Sequence, residues 1–167
     1  MNKEVSSQTV FSGRITSESL AETIKGLKAK NRRAVSLAVT ELERLSPIAP
    51  AFLKAIQADL GHGLVVGFTG PPGAGKSTLV NALIRVLRAN KKTVAVIAVD
   101  PSSPVSGGAI LGDRIRMTAA LDDDGVFVRS LASRGYLGGL SPAAVRIIDA
   151  FDAAGYDFII LETVGTG

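Results

Sequence analysis

Gly70-Pro71-Pro72-Gly73-Ala74-Gly75-Lys76-Ser77 is the stretch on which the reading of this chain turns. It fits the phosphate-loop pattern G-x-x-x-x-G-K-[ST] at every fixed position. The flanks strengthen the match. Leu64-Val65-Val66-Gly67-Phe68, just before it, reads as a buried strand, and Thr78 to Leu87, just after it, reads as a helix. Strand, glycine turn, helix is the context in which backbone N–H groups and a helix N-terminus form a site for phosphate. The expected phosphate-binding set is Gly70, Pro71, Pro72, Gly73, Ala74, Gly75, Lys76, Ser77 and Thr78. In that geometry Lys76 reaches the β- and γ-phosphates of a nucleotide, and the Ser77 hydroxyl is a ligand for Mg²⁺.

Working outward, the pattern after Leu64 alternates strand and helix. Thr93 to Val99 is apolar almost throughout, as parallel strands buried on both faces are. Asp113 to Leu121 predicts a helix, Val126-Phe127-Val128 a strand, and Asp157 to Leu161 a further strand. Ser141-Pro142 opens a helix with a capping hydroxyl and a proline in the first turn, running through Val145, Ile148 and Phe151. This order predicts an α/β fold with a mostly parallel sheet flanked by helices. Ahead of it lies a small helical segment. Leu20, Ile24 and Leu27 form one stripe; Val35, Ala38, Leu42 and Leu45 a second; Phe52, Ile56 and Leu60 a third, ended by Gly61-His62-Gly63. The expected division is a loose stretch at 1–17, a helical segment at 18–62 and a phosphate-loop domain at 63–167.

Two predicted strands end in a carboxylate: Asp100 after Val99, and Glu162 after Leu161. If their strands run parallel to the first, both carboxylates come to the edge that holds the phosphate loop. A nucleoside triphosphate with Mg²⁺ needs such groups there, one for the metal or its waters and one to orient the attacking water. Glu162-Thr163-Val164-Gly165 adds a glycine whose N–H can approach a γ-phosphate closely, which makes the segment a candidate switch. Residues 101–112 form a glycine-containing loop able to fold over phosphates, with Asp113 at its far edge. The loop at 133–139 reads equally as a plain surface loop or a functional one.

Composition narrows the classes. The chain has 167 residues, 46% hydrophobic and 20% charged, which suits one domain with a proper core plus an appendage. It has no cysteine, so disulfides and thiolate metal sites are excluded, and a cytoplasmic setting fits. The first residues lack the apolar core of a signal peptide, and no apolar run approaches the roughly 20 residues needed to span a membrane. The net charge of +4 gathers in two clusters, Lys25/Lys28/Lys30/Arg32/Arg33 and Arg85/Arg88/Lys91/Lys92. No aromatic residues interleave them, so they read as helix ends rather than a nucleic-acid surface. His62, the only histidine, reads as a loop residue.

With these elements in place, the chain resembles the MeaB/ArgK family of P-loop GTPases. The resemblance rests on G-P-P-G-A-G-K-S-T at 70–78, V-D-P-S-S at 99–103, G-G-A-I-L-G-D-R-I-R-M at 107–117, S-R-G-Y-L-G-G at 133–139 and E-T-V-G at 162–165. It covers residue 17 or so to the end. The resemblance implies Mg²⁺-dependent GTP binding and hydrolysis, with Lys76, Asp100, Asp113 and Glu162 as the catalytic set. Ser77, Asp100, Asp113 and Glu162 would surround the metal, and Gly165 would join the nucleotide-binding residues. It also implies a chaperone role for an adenosylcobalamin-dependent acyl-CoA mutase, such as methylmalonyl-CoA mutase, and a homodimer in the full-length protein. An older reading of the family is a P-loop ATPase or kinase linked to lysine/arginine/ornithine transport. The family continues past E-T-V-G-x-G to an N-K-x-D guanine-reading motif and a dimerisation arm, which this sequence does not contain. The expectation is therefore a fragment of a longer protein, and guanine preference is not legible from it.

Overall fold

The computed structural model describes residues 14–100, 123–133 and 140–163. Three helices lead: α1 (Leu20–Lys28), α2 (Arg32–Arg44) and α3 (Ala49–Ile56), the last continuing into a 3₁₀ turn at Gln57–Asp59. Then come β1 (Leu64–Phe68), α4 (Lys76–Ala89), β2 (Val94–Asp100), β3 (Val126–Ala132), α5 (Pro142–Ala153) and β4 (Phe158–Glu162). The four strands form one sheet in the order β1-β4-β2-β3, and every neighbouring pair is parallel. This is the expected α/β class, a parallel sheet flanked by helices. The helix expected at 113–121 lies outside the described residues.

Local chemistry explains the element ends. The Asn31 side chain accepts from the N–H groups of Arg33 and Ala34 and so caps α2. Leu45 then turns into the left-handed region at φ 50°, which closes that helix. Ser141 accepts from the Ala144 N–H and Pro142 sits in the first turn of α5, as the sequence predicts.

The strand period of two splits the core into two layers. Ala95, Ile97 and Val99 of β2, Phe127 and Leu131 of β3, and Ile159 and Leu161 of β4 face one side. There they meet α5 and the three leading helices in a single cluster that includes Leu27, Val35, Phe52 and Phe151. Phe151 packs against Phe127 and Tyr156 at ring separations of 5.5 and 5.7 Å. On the other side Val94, Val96, Val126 and Ile160 meet only Val80, Ile84 and Leu87 of α4 in the second buried cluster. The leading helices are thus packed onto the sheet. Ile15, within the stretch expected to be loose, is buried in the same core.

Three stripes differ from expectation. Val145 is exposed, while Ala144, Ile147 and Phe151 carry the buried face of α5. Pro142 starts the helix, and packing selects the stripe one residue away. Leu45 is 57% exposed, because the left-handed turn at the end of α2 swings it off the helical face. β1, expected to be buried, leaves Leu64 57% and Val65 46% exposed. It pairs only with β4 among the described residues and has no described neighbour on its other side.

The amino edge of the sheet is strapped by carboxylates. Asp157 accepts from the Thr93 N–H and hydroxyl, both at 2.8 Å, and from Lys92 Nζ at 3.1 Å. The Thr93 bonds, backbone first, hold its carboxyl down at about 2. Arg88 grips Asp123 with two bonds of 2.9 and 2.8 Å, which together with the Gly125 N–H lowers that carboxyl as well. Arg32 donates to the carbonyls of Asp123 and Val126, and Lys28 pairs with Asp59. Several cations of the two basic clusters are therefore used inside the fold. Among the described residues, no helix is long and apolar enough to cross a membrane.

Candidate phosphate-binding site

The parallel arrangement carries the carboxyl ends of β1, β4 and β2 to one edge. Phe68, the last residue of β1, is in register with Glu162, the last of β4. Ala98 of β2 is also in register with Glu162, so Asp100 stands two residues further along the neighbouring strand. The loop 69–75 leaves β1 at this edge and enters α4. Gly73 at φ +79° and Gly75 at φ +84° take left-handed conformations that a side chain would strain, which is the physical reason for glycine at these positions. Gly75 is also the cap residue of α4, and no side chain caps that helix. The first N–H groups of α4 are thus left for a ligand, and the helix dipole favours an anionic one.

Two side chains of the motif are held in place. Lys76 Nζ donates to the carbonyls of Gly70 and Pro71, at 2.7 and 3.0 Å, and so lies folded back over its own loop. The Ser77 hydroxyl donates to Glu162 Oε1 at 2.5 Å. This bond joins the start of α4 to the end of β4 across 85 residues of sequence. Glu162 and Ser77 are both half-buried, and Thr78, the next residue of the same turn, is exposed.

The structure thus brings together Gly70 to Thr78 and Glu162, and it sets the Asp100 backbone at the same edge. Asp113, Gly165 and the loops at 101–112 and 134–139 lie outside the described residues, as does the helix expected at 113–121. Sequence reading passed over Thr163. It is buried, its N–H donates to the Phe68 carbonyl at 2.9 Å, and its hydroxyl donates to the same oxygen at 3.3 Å. It pins the end of β4 to the end of β1, where the loop begins. The only signal for it was its place between Glu162 and Gly165. His62 is a loop residue whose N–H donates to Asp152 Oδ1.

Asp157 and Asp123, both lowered by their hydrogen bonds, stand at the opposite edge of the sheet and belong to its strapping. Asp152 is a third case. Burial raises its carboxyl, but the N–H groups of Gly61, Gly63 and His62 outweigh that, and the net shift is downward. Here perturbed ionisation marks structure rather than chemistry.

Comparison with known proteins agrees with this geometry. The family model described as methylmalonyl-CoA mutase-associated GTPase MeaB matches residues 32–167. A protein of Pyrococcus horikoshii named as a GTPase is 51% identical over 146 residues, which is 87% of this chain and 46% of that protein. The chain thus spans about half the length of that relative. A fused isobutyryl-CoA mutase of Cupriavidus metallidurans is 41% identical over 150 residues, 87% of this chain and 14% of that enzyme. A crystal structure described as an LAO/AO transport system kinase superposes with a TM-score of 0.72 at 34% identity, covering 92% of this chain and 45% of that one. The phosphate loop, the parallel strand ends beside it and the match over most of the length lead to one assignment: the chain belongs to the family of methylmalonyl-CoA mutase-associated GTPases of the MeaB type.

Proposed function

We propose that this protein binds GTP and GDP with Mg²⁺, hydrolyses GTP, and serves as a GTPase chaperone for an adenosylcobalamin-dependent acyl-CoA mutase of the methylmalonyl-CoA mutase type. The observation that carries the chemical part is the Ser77–Glu162 bond beside the uncapped start of α4. It sets a hydroxyl and a carboxylate together where a phosphate chain would end, an oxygen pair suited to a hard cation. Mg²⁺ bound there would neutralise charge on the β- and γ-phosphates. Lys76 exchanges the Gly70 and Pro71 carbonyls for phosphate oxygens, and the N–H groups of 73–78 cradle the same phosphates. Glu162, with Asp100 and Asp113, holds metal waters and orients the attacking water. Gly165 follows the γ-phosphate, so that its loss releases the segment after Glu162.

The mutase reading is supported by the description of the family and by the relative named a fused isobutyryl-CoA mutase, which includes a matching segment. Homodimerisation of the full-length protein and a cytoplasmic location complete the reading. A second reading, a P-loop ATPase or kinase linked to transport, is favoured by the superposition on a transport system kinase.

Calorimetric titration of the full-length protein separates the two. The proposed function expects Mg²⁺–GTP to bind and Mg²⁺–ATP to compete poorly. Lys76→Ala should abolish binding, while Glu162→Gln keeps GDP affinity and loses hydrolysis by about 10²-fold. A mutase pull-down should depend on whether GDP or a non-hydrolysable GTP analogue is present. Unchanged GTP affinity in Lys76→Ala overturns the site, and ATP preference moves the assignment to the transport-kinase reading.

A further inference from the structure

The side-chain bonds Ser77–Glu162 and Thr163–Phe68 both tie the end of β4 to the region of the phosphate loop, but a ligand treats them differently. The Ser77 hydroxyl donates to Glu162 Oε1, and these are the oxygens that the proposed function gives to Mg²⁺. A bound metal therefore replaces that bond. The second tie ends on a backbone atom. Phe68, the last residue of β1, offers its carbonyl oxygen to the Thr163 N–H at 2.9 Å and to the Thr163 hydroxyl at 3.3 Å. No ligand has to displace either donor.

Thr163 is placed to hold without touching the nucleotide. Ile160 packs on the α4 side of the sheet and Leu161 on the other. The period of two then sends Glu162 toward α4, where it meets Ser77, and turns Thr163 away from it. Thr163 is 5% exposed, so its hydroxyl is kept from water as well. Its bond to Phe68 fixes χ1 of a β-branched side chain and with it the backbone that immediately follows Glu162. Phe68 stands two residues before Gly70, whose carbonyl holds Lys76 Nζ at 2.7 Å. The hydroxyl thus links the strand that carries the acid to the strand that feeds the lysine loop. We propose that Thr163 is a positioning residue for GTP hydrolysis: its hydroxyl keeps Glu162 in register with the phosphate loop while the Ser77–Glu162 bond is exchanged for metal. This inference rests on the GTPase reading above. Binding of phosphate depends on the loop N–H groups and Lys76, whereas orientation of the attacking water depends on Glu162, so the effect of Thr163 falls on turnover.

Two variants of the full-length protein test it. Thr163→Val keeps the shape and the N–H bond but lacks the hydroxyl, and Thr163→Ser keeps the hydroxyl. Thr163→Val should lower kcat for GTP by about tenfold or more, since a small misplacement of a positioned group is costly. KM and GDP affinity should stay within about twofold of the parent, and Thr163→Ser should restore most of kcat. Amide exchange in the ligand-free protein reads the same tie without turnover. In Thr163→Val, exchange at Phe68 and Thr163 should be faster by about tenfold, with Ile160 unchanged. Parental kcat in Thr163→Val overturns the proposal. So does a fall in kcat matched by an equal loss of GDP affinity, or one that Thr163→Ser does not restore, because either marks a merely structural role. A parent that binds nucleotide but does not turn over GTP counts against the GTPase reading itself. Exchange then decides on the hydroxyl alone, and unchanged rates at Phe68 and Thr163 overturn its holding role.

Discussion

The two faces of the sheet are built unequally. One is covered by α5 and the three leading helices, with Phe52, Ile147 and Phe151 shielded from solvent. The other rests on α4 alone among the described residues, and the outward Leu79 and Val86 of that helix are 58% and 59% exposed. The phosphate loop joins β1 to α4, so the candidate site belongs to the thin side. The thick side holds the larger buried cluster, and the thin side carries the residues of the proposed site. On that side Lys76 is bonded to the Gly70 carbonyl and Ser77 to Glu162, the bonds that the proposed nucleotide would replace.

Matched truncations would test the contrast most strongly. Ile147→Ala on the thick side should cost about 4 kcal/mol, and Ile84→Ala on the thin side about 2 kcal/mol, because a single covering helix relaxes into the space more readily. Urea unfolding of the 167-residue chain measures both, and equal losses would break the comparison.

The next effect concerns the link between the leading helices and β1. Asp152 of α5 accepts from the N–H groups of His62 and Gly63 at 3.0 and 2.7 Å and also from Gly61. Asp152→Ala would leave three donors unpaired at the entrance to β1 and should cost about 3 kcal/mol. A loss below about 1 kcal/mol, from the same unfolding curves, would show that water replaces the carboxylate.

Asp157 predicts a smaller, pH-dependent term. Its carboxyl is lowered from 3.8 to about 2 in the fold, so it stabilises the fold above its unfolded value. That contribution is lost as pH falls from about 4 to about 2. The side chain is 36% exposed, and solvent screening reduces the term to about 1 kcal/mol. Asp157→Asn should flatten the acid limb of the stability–pH curve, and an unchanged slope would assign that limb to other carboxyls.

The smallest effect is expected at the uncovered face of α4. Leu79→Ser and Val86→Ser should each change stability by less than about 0.5 kcal/mol in this chain. A larger loss that grows with protein concentration would show that the face is buried between copies in solution.

Most of the candidate site is legible because its motif is local. A glycine pattern between a strand and a helix specifies backbone shape over a short span, and the shape specifies where N–H groups point. The carboxylate of Glu162 could be assigned to the same edge because parallel strands carry their ends together. Thr163 was not legible, since its role is a bond to Phe68 that only strand pairing creates. Asp152 was hidden for the same reason, its partner His62 lying 90 residues earlier in the chain. The stripe of α5 was misplaced by one residue because Val145 and Ala144 are both apolar, and only the surface they meet decides between them.

By itself, then, the sequence determined the alternation of strands and helices, the phosphate loop and the acids that follow the strands. These depend on periods of about 2 and 3.6 residues and on the φ values that glycine permits, all short-range properties. Tertiary structure decided the strand order β1-β4-β2-β3, the burial of the leading helices on one face and the exposure of β1 and α4 on the other. It also decided that Ser77 meets Glu162. Those outcomes follow from which apolar faces find each other across long loops, and no local pattern carries that information.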